Sequence, residues 1–477
     1  MHQHTQNFGD FGLSEATMTA LLQKGFTQPT PIQGAAIPLL LGTRQDMVGQ
    51  AGTGTGKTAA FGIPIMEMLS AKQTYPQALI LVPTRELALQ VADELHSLKG
   101  SQPYRITAIY GGQSYQPQLR ALKQGSHIIV GTPGRIMDHI ERRTLVLDRI
   151  THVVLDEADE MLNQGFQEDI ESILSGLPKG RRTMLFSATM PKRILQLAET
   201  FMGSYEHVVV KPDKDTPAST AQSYIELHEK DKLDALTRII DSHHDFYGLV
   251  FCRTKIDTDR TAQALQRQGY PAQALHGDIS QAMREQILRG CREGRTRILV
   301  ATDVAARGID IPELTHVINY ALPQDPESYL HRIGRTGRAG KTGIAVSLVT
   351  PTESRKLSYY RHALKLDIQK QSLPSVKRII RKRRQELTAE LQEIIQAGSH
   401  GELLGYAQQL VESQDPSALV ASLLHHASRQ DLCASHYREI SEPKPSSSYG
   451  GRQTPFPQNR RKQKFRGQRK SWKYRAS

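Results

Sequence analysis

Cysteine is scarce in this 477-residue chain: only Cys252, Cys291 and Cys433 occur, and no two of them form a CxxC pair. That excludes a disulfide framework and a thiolate zinc site as the basis of the fold, and a reducing compartment fits best. No apolar run approaches the roughly 20 residues that span a bilayer. The N-terminal MHQHTQNFGDFG has no apolar h-region. A cytoplasmic protein without a membrane partner is therefore expected, and His2 and His4 read as a frayed terminus rather than a metal site. Acidic residues are missing from one place in particular: 451–477 carries ten Lys or Arg and no Asp or Glu. The net charge of +13 and pI near 9.5 thus reside largely in a short tail, and a polyanionic partner is expected.

What is present is enough apolar residue, 38%, for real cores, in a chain long enough for two or three domains. Short Val/Ile/Leu-rich runs alternate with amphipathic stretches. Candidate strands are QALILVPT (77–84), SHIIVGT (126–132), THVVLDE (151–157) and RRTMLFSAT (181–189). The pattern restarts with YGLVFCRT (247–254), TRILVATD (296–303), THVINYALP (315–323) and GIAVSLV (343–349). Apolar strands separated by helix-length stretches imply parallel sheets covered on both faces. Two α/β domains are expected, 1–210 and 221–365, joined by a polar, Pro-containing linker at 211–220. A helical extension follows at 366–430, and 431–477 is expected to be a disordered basic tail.

The chemistry begins at AGTGTGKT (51–58), which follows the apolar DMVGQ and precedes a helix-like stretch. Glycines at 52, 54 and 56 let the backbone curl its N–H groups around phosphate oxygens, and the helix N-terminus favours the anion. The candidate phosphate cradle is Ala51, Gly52, Thr53, Gly54, Thr55 and Gly56. Lys57 is placed to reach the β- and γ-phosphates, and the Thr58 hydroxyl to ligate Mg2+. A Gly-rich turn before a helix has the same look, but GKT in a strand–loop–helix context is specific. VVLDEADEML (153–162) then sets Asp156, Glu157, Asp159 and Glu160 after an apolar run. Mg2+ on a nucleotide would offset this crowding. Asp156 is the metal-side carboxylate, and Glu157 is placed to orient and deprotonate the attacking water. Glu160 reads as an ordinary solvated acid of a first helical turn.

The letters DEAD behind a phosphate loop resemble the signature of the DEAD-box RNA helicases, and the resemblance runs in order through about 360 residues. GFTQPTPIQ (25–33) resembles the Q motif, with Phe8 as the upstream aromatic. The resemblance implies ATP as the nucleotide, with Gln33 bonding adenine and Phe8 packing on the base. PTRELALQ (83–90), Gly111-Gly112 and TPGR (132–135) resemble first-domain RNA motifs, and Ser187-Ala188-Thr189 the SAT motif. VFCRTK (250–255), QAMR (281–284), ATDVAARGID (301–310) and HRIGRTGR (331–338) resemble the second-domain set. By this likeness the domains are RecA-like, Arg335 and Arg338 are arginine fingers, and Asp310 contacts the ribose. Arg85, Gly112, Thr132 and Arg135 would contact RNA from one side. Arg253, Thr254, Thr302 and Arg307 would do so from the other. Asp159, Ser187, Thr189 and His331 would couple the two sites. For each of Arg85, Arg135 and Arg253, an ordinary surface or salt-bridged arginine is the competing reading. The implied activity is local, ATP-driven unwinding of short RNA duplexes with little sequence preference, in a cold-shock or ribosome-assembly setting. The alternatives are an RNA chaperone or annealer using ATP as a clamp switch, and a DNA helicase of the wider superfamily.

In 401–428, Leu403, Leu404, Tyr406, Leu410, Leu419, Val420, Leu423 and Leu424 recur at helical spacing. Either a small appendage packs on the second domain, or two short helices that bury little alone pair with a second copy. The stretch resembles the dimerisation module of bacterial cold-shock DEAD-box helicases, which implies a homodimer. The tail NRRKQKFRGQRKSWKYR (459–475) interleaves cations with Phe465, Trp472 and Tyr474, a composition suited to phosphates and exposed bases. Deleting 445–477 should weaken RNA binding and flatten its salt dependence, by about 0.7 in log–log slope for each phosphate that the tail neutralises, while ATPase at saturating RNA survives. Binding titrations at several salt concentrations check this, and unchanged affinity would remove the tail from RNA tethering.

Overall fold

The computed structural model describes residues 7–52, 54–210, 220–306, 309, 311, 314–337, 341–398, 401–427, 433–434 and 437–440. In the first lobe the strands are β1 (Asp46–Gln50), β2 (Ala78–Leu81), β3 (Ile106–Ile109), β4 (Ile128–Gly131), β5 (His152–Leu155), β6 (Arg182–Ser187) and β7 (Tyr205–Val209). They pair in parallel in the order β3-β4-β2-β5-β6-β1-β7. The second lobe contains β8 (Thr220–Glu226), β9 (Gly248–Phe251), β10 (Ala272–Leu275), β11 (Ile298–Ala301), β12 (His316–Asn319), β13 (Gly343–Val349) and β14 (Gln369–Lys370). Their order, β10-β11-β9-β12-β13-β8-β14, is again wholly parallel.

Apolar runs of this kind are needed because both faces of each sheet are covered. Along β5, Val154 joins the core with Ile80, Val130 and Phe186, while Val153 and Leu155 join the opposite core with Leu79, Ile129 and Leu185. In the second lobe Val250, Val300 and Ile318 pack on one face, and Leu249, Leu299 and Val317 on the other. All eight candidate strands are present. The sequence reading passed over β3, β7, β8, β10 and β14. These are short or partly exposed and lie at or next to sheet edges: β7 and β14 keep mostly solvent-facing residues, and β10 is covered only at its two ends.

Strand order determines what meets. β5, β6 and β1 are consecutive neighbours, with Leu155 beside Leu185 and Gln50 beside Ser187. The residues leaving their carboxyl ends, Asp156 onward, Ser187 to Thr189 and Ala51 onward, therefore converge at one edge of the sheet. In open parallel sheets this edge is where ligands bind.

Past the second sheet, a helix Val376–Ala397 starts at the Ser375 cap and buries Ile379 and Ile380. Its Arg383 pairs with the buried carboxylate of Asp241, at the end of helix Lys232–Asp241. A hairpin of helices Leu404–Ser413 and Pro416–Ala427 follows. Tyr437 then reaches back, donating its hydroxyl to Asp241 Oδ2 at 2.9 Å, and Ile440 packs against the second-lobe core. Nothing in Leu404–Ser413 is buried, and Leu403, Tyr406, Val420 and Leu423 are all more than half exposed. The apolar side chains of this hairpin are thus left largely to solvent. The linker residues 211–219 and the tail 441–477 lie outside the described residues.

Candidate active site

The phosphate loop emerges from β1 and ends at Gly56, whose φ of 86° is in the left-handed region that favours glycine. A β-carbon there would stand 2.4 Å from Gln33 Nε2 and 3.3 Å from Thr30 Oγ1. That close approach ties the PTPIQ segment to the loop. Thr30 Oγ1 donates to Thr55 O at 2.8 Å, and Gln33 Nε2 donates to Gly56 O at 3.1 Å while its Oε1 accepts from Thr30 N at 2.9 Å. A buried glutamine thus clamps the turn where the helix Lys57–Met68 begins. At Gly52 a β-carbon would meet only Thr55 Cγ2, at 3.9 Å, so the glycine found there imposes no steric demand. Lys57 is buried and donates to Ala51 O at 3.2 Å across the mouth of the loop, and Thr58 follows it, half-buried. Thr53 lies outside the described residues.

Asp156 caps β5 at 3% exposure. Burial pushes its carboxyl up to about 6, Lys57 pulls the other way, and the charges of Glu157 and Asp159 add to the rise. Glu157 takes φ 51°, a left-handed conformation that costs a non-glycine residue about 1 kcal/mol. This turn starts the helix Ala158–Asn163 directly off the strand and leaves Glu157 half-exposed beside the site. Asp159 faces inward, where its Oδ2 accepts from Thr189 N at 2.9 Å and Thr189 Oγ1 at 2.8 Å. Ser187 Oγ in turn donates to Thr189 O at 2.7 Å. The acidic strand end and the SAT segment are thus one hydrogen-bonded unit. Among the described residues no three His, Cys, Asp or Glu converge to cage a metal. Mg2+ held by one or two carboxylates plus substrate phosphates needs no such cage, and the buried Asp156 beside the phosphate loop fits that mode of holding.

Glu160 corrects the sequence reading. It is 2% exposed, not solvated, and its Oε2 lies 3.8 Å from Nδ1 of His331, from the second lobe. Arg335 follows on the same lobe; it is 8% exposed and donates to His331 O at 3.2 Å and Ile309 O at 3.0 Å. Arg332 is structural: Asp303, Asn319 Oδ1 and Ala321 O hold its guanidinium. Asp310, Arg307 and Arg338 lie outside the described residues. Phe8 is 3% exposed in the first-lobe core and lies edge-on to Phe11. Phe26, within GFTQPTPIQ, is half-buried, packs against the same core and lies 5.5 Å beneath Lys24 Nζ.

On the other side of the cleft, Arg85 lies against Gly112, whose φ of 76° and lack of a β-carbon make room for the guanidinium. The lobes also touch here. Arg85 Nη1 donates to Gln281 Oε1 at 3.2 Å, and Glu86 pairs with Arg284. Thr132 caps helix Pro133–Glu141. Arg135, expected to contact RNA, is held by partners in its own lobe. It is buried, stacks 3.5 Å from the Tyr115 ring centroid, and donates to Gln118 Oε1 at 3.3 Å and to Gln113 O. In the second lobe Arg253 is exposed and pairs with Glu353 at 3.0 Å. Thr254 caps helix Lys255–Arg267, and Thr302 is buried at the end of β11.

Residues 30–197 match the DEAD/DEAH box helicase family and residues 231–340 the helicase conserved C-terminal domain. The chain is 48% identical over 423 residues to the DEAD-box ATP-dependent RNA helicase CshA of Geobacillus kaustophilus, covering 89% of this chain and 90% of that protein. The chain belongs to the DEAD-box ATP-dependent RNA helicases. This helicase is also 46% identical over 426 residues to CshA of Bacillus subtilis, covering 89% and 86% of the two chains. Its fold is similar to S. cerevisiae Dbp5 bound to RNA and ADP BeF3, with TM-score 0.71, 31% identity, and 77% and 96% of the chains covered. It is likewise similar to Mss116p bound to ssRNA and AMP-PNP, with TM-score 0.70, 26% identity, and 83% and 88% covered.

The raised Asp156 fixes the sign of a pH effect. Its folded pKa exceeds the unfolded value of about 3.9, so ionisation as pH rises through about 6 removes stability from the nucleotide-free protein. Asp156→Asn should raise the melting temperature of the nucleotide-free helicase at pH 7.5, by on the order of 1–2 kcal/mol of stability, and flatten its change between pH 5 and 7. Nucleotide turnover should be lost in the same variant. Thermal denaturation across that pH range, with an ATPase assay, checks both.

Proposed function

We propose that this RNA helicase hydrolyses ATP at the joined carboxyl ends of β1, β5 and β6, and that RNA-driven contact between the lobes completes the site. One observation carries the reading. The clamped phosphate loop, Asp156 and the Asp159–Thr189 unit share one sheet edge, and the second lobe brings His331 to within 3.8 Å of Glu160 on that edge. Lys57 binds the β- and γ-phosphates, and Gln33 holds the loop while reading adenine. Thr58 and Asp156 would hold Mg2+, which when bound supplies the counter-charge for the phosphates and the carboxylate cluster. Glu157, exposed enough to meet water, orients the nucleophile and takes its proton. Arg335, with Arg338, stabilises the charge spreading over the transferred phosphoryl group, an effect of about 10³ to 10⁵ in rate for such arginines. The bonds of Arg335 to His331 O and Ile309 O are weak enough to exchange for phosphate.

RNA lies across the opposite seam, with Arg85, Gly112 and Thr132 on one lobe and Arg253, Thr254, Thr302 and Arg307 on the other. The coupling runs from Glu160 and Asp159 through Thr189 and Ser187 into the first sheet and through His331 into the second. Contacts of this kind touch phosphate and ribose and carry little base information. A cytoplasmic location rests on the scarcity of cysteine, and a cold-shock or ribosome-assembly setting rests on resemblance alone.

The protein further acts as a homodimer through 401–428. Leu403, Tyr406, Val420 and Leu423 on the hairpin, with Ile395 at the end of the preceding helix, form an exposed apolar set too large for a lone pair of short helices to leave in water.

Glu157→Gln should bind ATP and RNA yet turn over at least 100-fold more slowly, consistent with general-base losses of about 10²–10⁴, and accumulate as a ternary complex in filter binding. Loss of nucleotide binding instead would remove Glu157 from the chemistry. Sedimentation equilibrium should give a dimer at micromolar concentration, and Leu403→Glu with Leu423→Glu should give a monomer with intact RNA-stimulated ATPase. A monomeric unmodified protein would overturn the pairing.

A further inference from the structure

We propose that the first half of helix Val376–Ala397 is a second RNA site, a cationic stripe that grips the sugar-phosphate backbone away from the cleft between the lobes. Six cations fall within 377–384, and no acid precedes Glu386 in the helix. They divide by task. Arg383 pairs with the buried Asp241, while Lys382 donates to Ser242 O at 3.0 Å and lies 3.7 Å from Glu386. With buried Ile379 and Ile380 they fasten the helix to the second lobe. Lys377, Arg378 and Arg381 are exposed, and no ion pair to any of them occurs among the described residues. Lys377, Arg381 and Arg384 follow one another at spacings of four and three residues. They therefore share a face and are spaced by roughly one 5.4 Å turn. That face is continued along the helix by Gln385, Thr388 and Gln392.

Helix stability does not account for these residues. The first turn contains no acid, and cations at its positively polarised end oppose the macrodipole. Nor do they form the outer face of an alternating, self-neutralising helix, because the acids begin only at Glu386. An anchored helix that presents cations, amide side chains and a threonine on one face matches a phosphate backbone, which takes charge from Lys and Arg and hydrogen bonds from Gln and Thr. The position makes this a separate site. Arg383, Glu386, Leu387 and Glu390 share a cavity of about 370 Å³ with Phe246, Pro271 and Arg297, which lie one or two residues before β9, β10 and β11. The helix thus passes beneath the amino ends of these strands, whereas Arg253, Thr254 and Thr302 follow the carboxyl ends. An RNA that reaches both sites must extend around the second lobe, so the stripe acts on long or structured RNA.

The inference rests on the RNA helicase reading, and the test separates the two. Full-length protein and the K377A/R378A/R381A variant are titrated with labelled RNA at several salt concentrations. One RNA is a single strand only long enough to cross both lobes; the other is a structured RNA several times longer. On the long RNA the variant should bind about tenfold more weakly, and its log–log salt slope should fall by about 2, from roughly 0.7 per neutralised phosphate. On the short strand, affinity and stimulated ATPase should match the unmodified protein. K377Q/R381Q, which keeps most of the side-chain stems, should show the same pattern at lower amplitude, so a folding defect in the triple variant does not decide the outcome. Unchanged affinity and slope on long RNA would overturn the site. An equal loss on both RNAs would overturn it as well, by placing the effect in the cleft. Failure of the short strand to stimulate the unmodified protein would instead count against the helicase reading.

Discussion

A carboxylate buried at the end of a central strand is the constraint around which this molecule is arranged. Asp156 is almost wholly removed from water, and Lys57 offsets its charge only in part. Burying an ion without a matching counter-charge is expensive in any fold. The strain persists because the rest of the structure over-determines the position. β5 is flanked by β2 and β6, Glu157 is forced into a left-handed turn, and Asp159 is held at once by the backbone and side chain of Thr189. A cationic ligand that relieves Asp156 is thereby coupled, through Asp159 and the segment after β6, to the face that meets the other lobe.

The same economy appears across the cleft. The second lobe does not bring one arginine on a flexible loop. It brings a helix, Pro326–Ile333, braced by Arg332 on Asp303, Asn319 and Ala321, and that helix presents His331 to Glu160 and carries Arg335 just beyond its end. On the far seam, Arg85 and Glu86 from one helix meet Gln281 and Arg284 from another. Both seams are polar, and polar contacts of this kind are individually weak. Lobes joined in this way can part and rejoin with each nucleotide, whereas an apolar interface would hold them shut.

Asp241 performs a related task for the extension. Its carboxylate gathers Tyr270, Arg383 and Tyr437, so the helix that leaves the second lobe and the segment that returns to it are fastened at one point. The exposed hairpin between them and the cationic stripe before it are therefore carried by the lobe rather than trailing from it.

Much of this was legible in the chain itself. A buried parallel strand must be apolar on both faces, so β2, β5, β9 and β11 announced themselves, and so did the glycines of a phosphate loop. β3, β7, β8, β10 and β14 did not, because strands at or next to a sheet edge need fewer apolar residues and blend into loops. Side-chain environment was the other gap. Glu160 and Arg135 look like ordinary surface charges in one dimension, and Phe8 looks like a ring available to a base. Their burial depends on partners such as His331, Gln118 and Phe11, and for the first of these on another lobe. The sequence by itself determined the two-sheet class, the nucleotide loop and the acidic strand end, since each follows from local pattern and backbone requirement. Only the tertiary structure decided which charges face solvent and which face each other, because desolvation and pairing are set by neighbours distant along the chain.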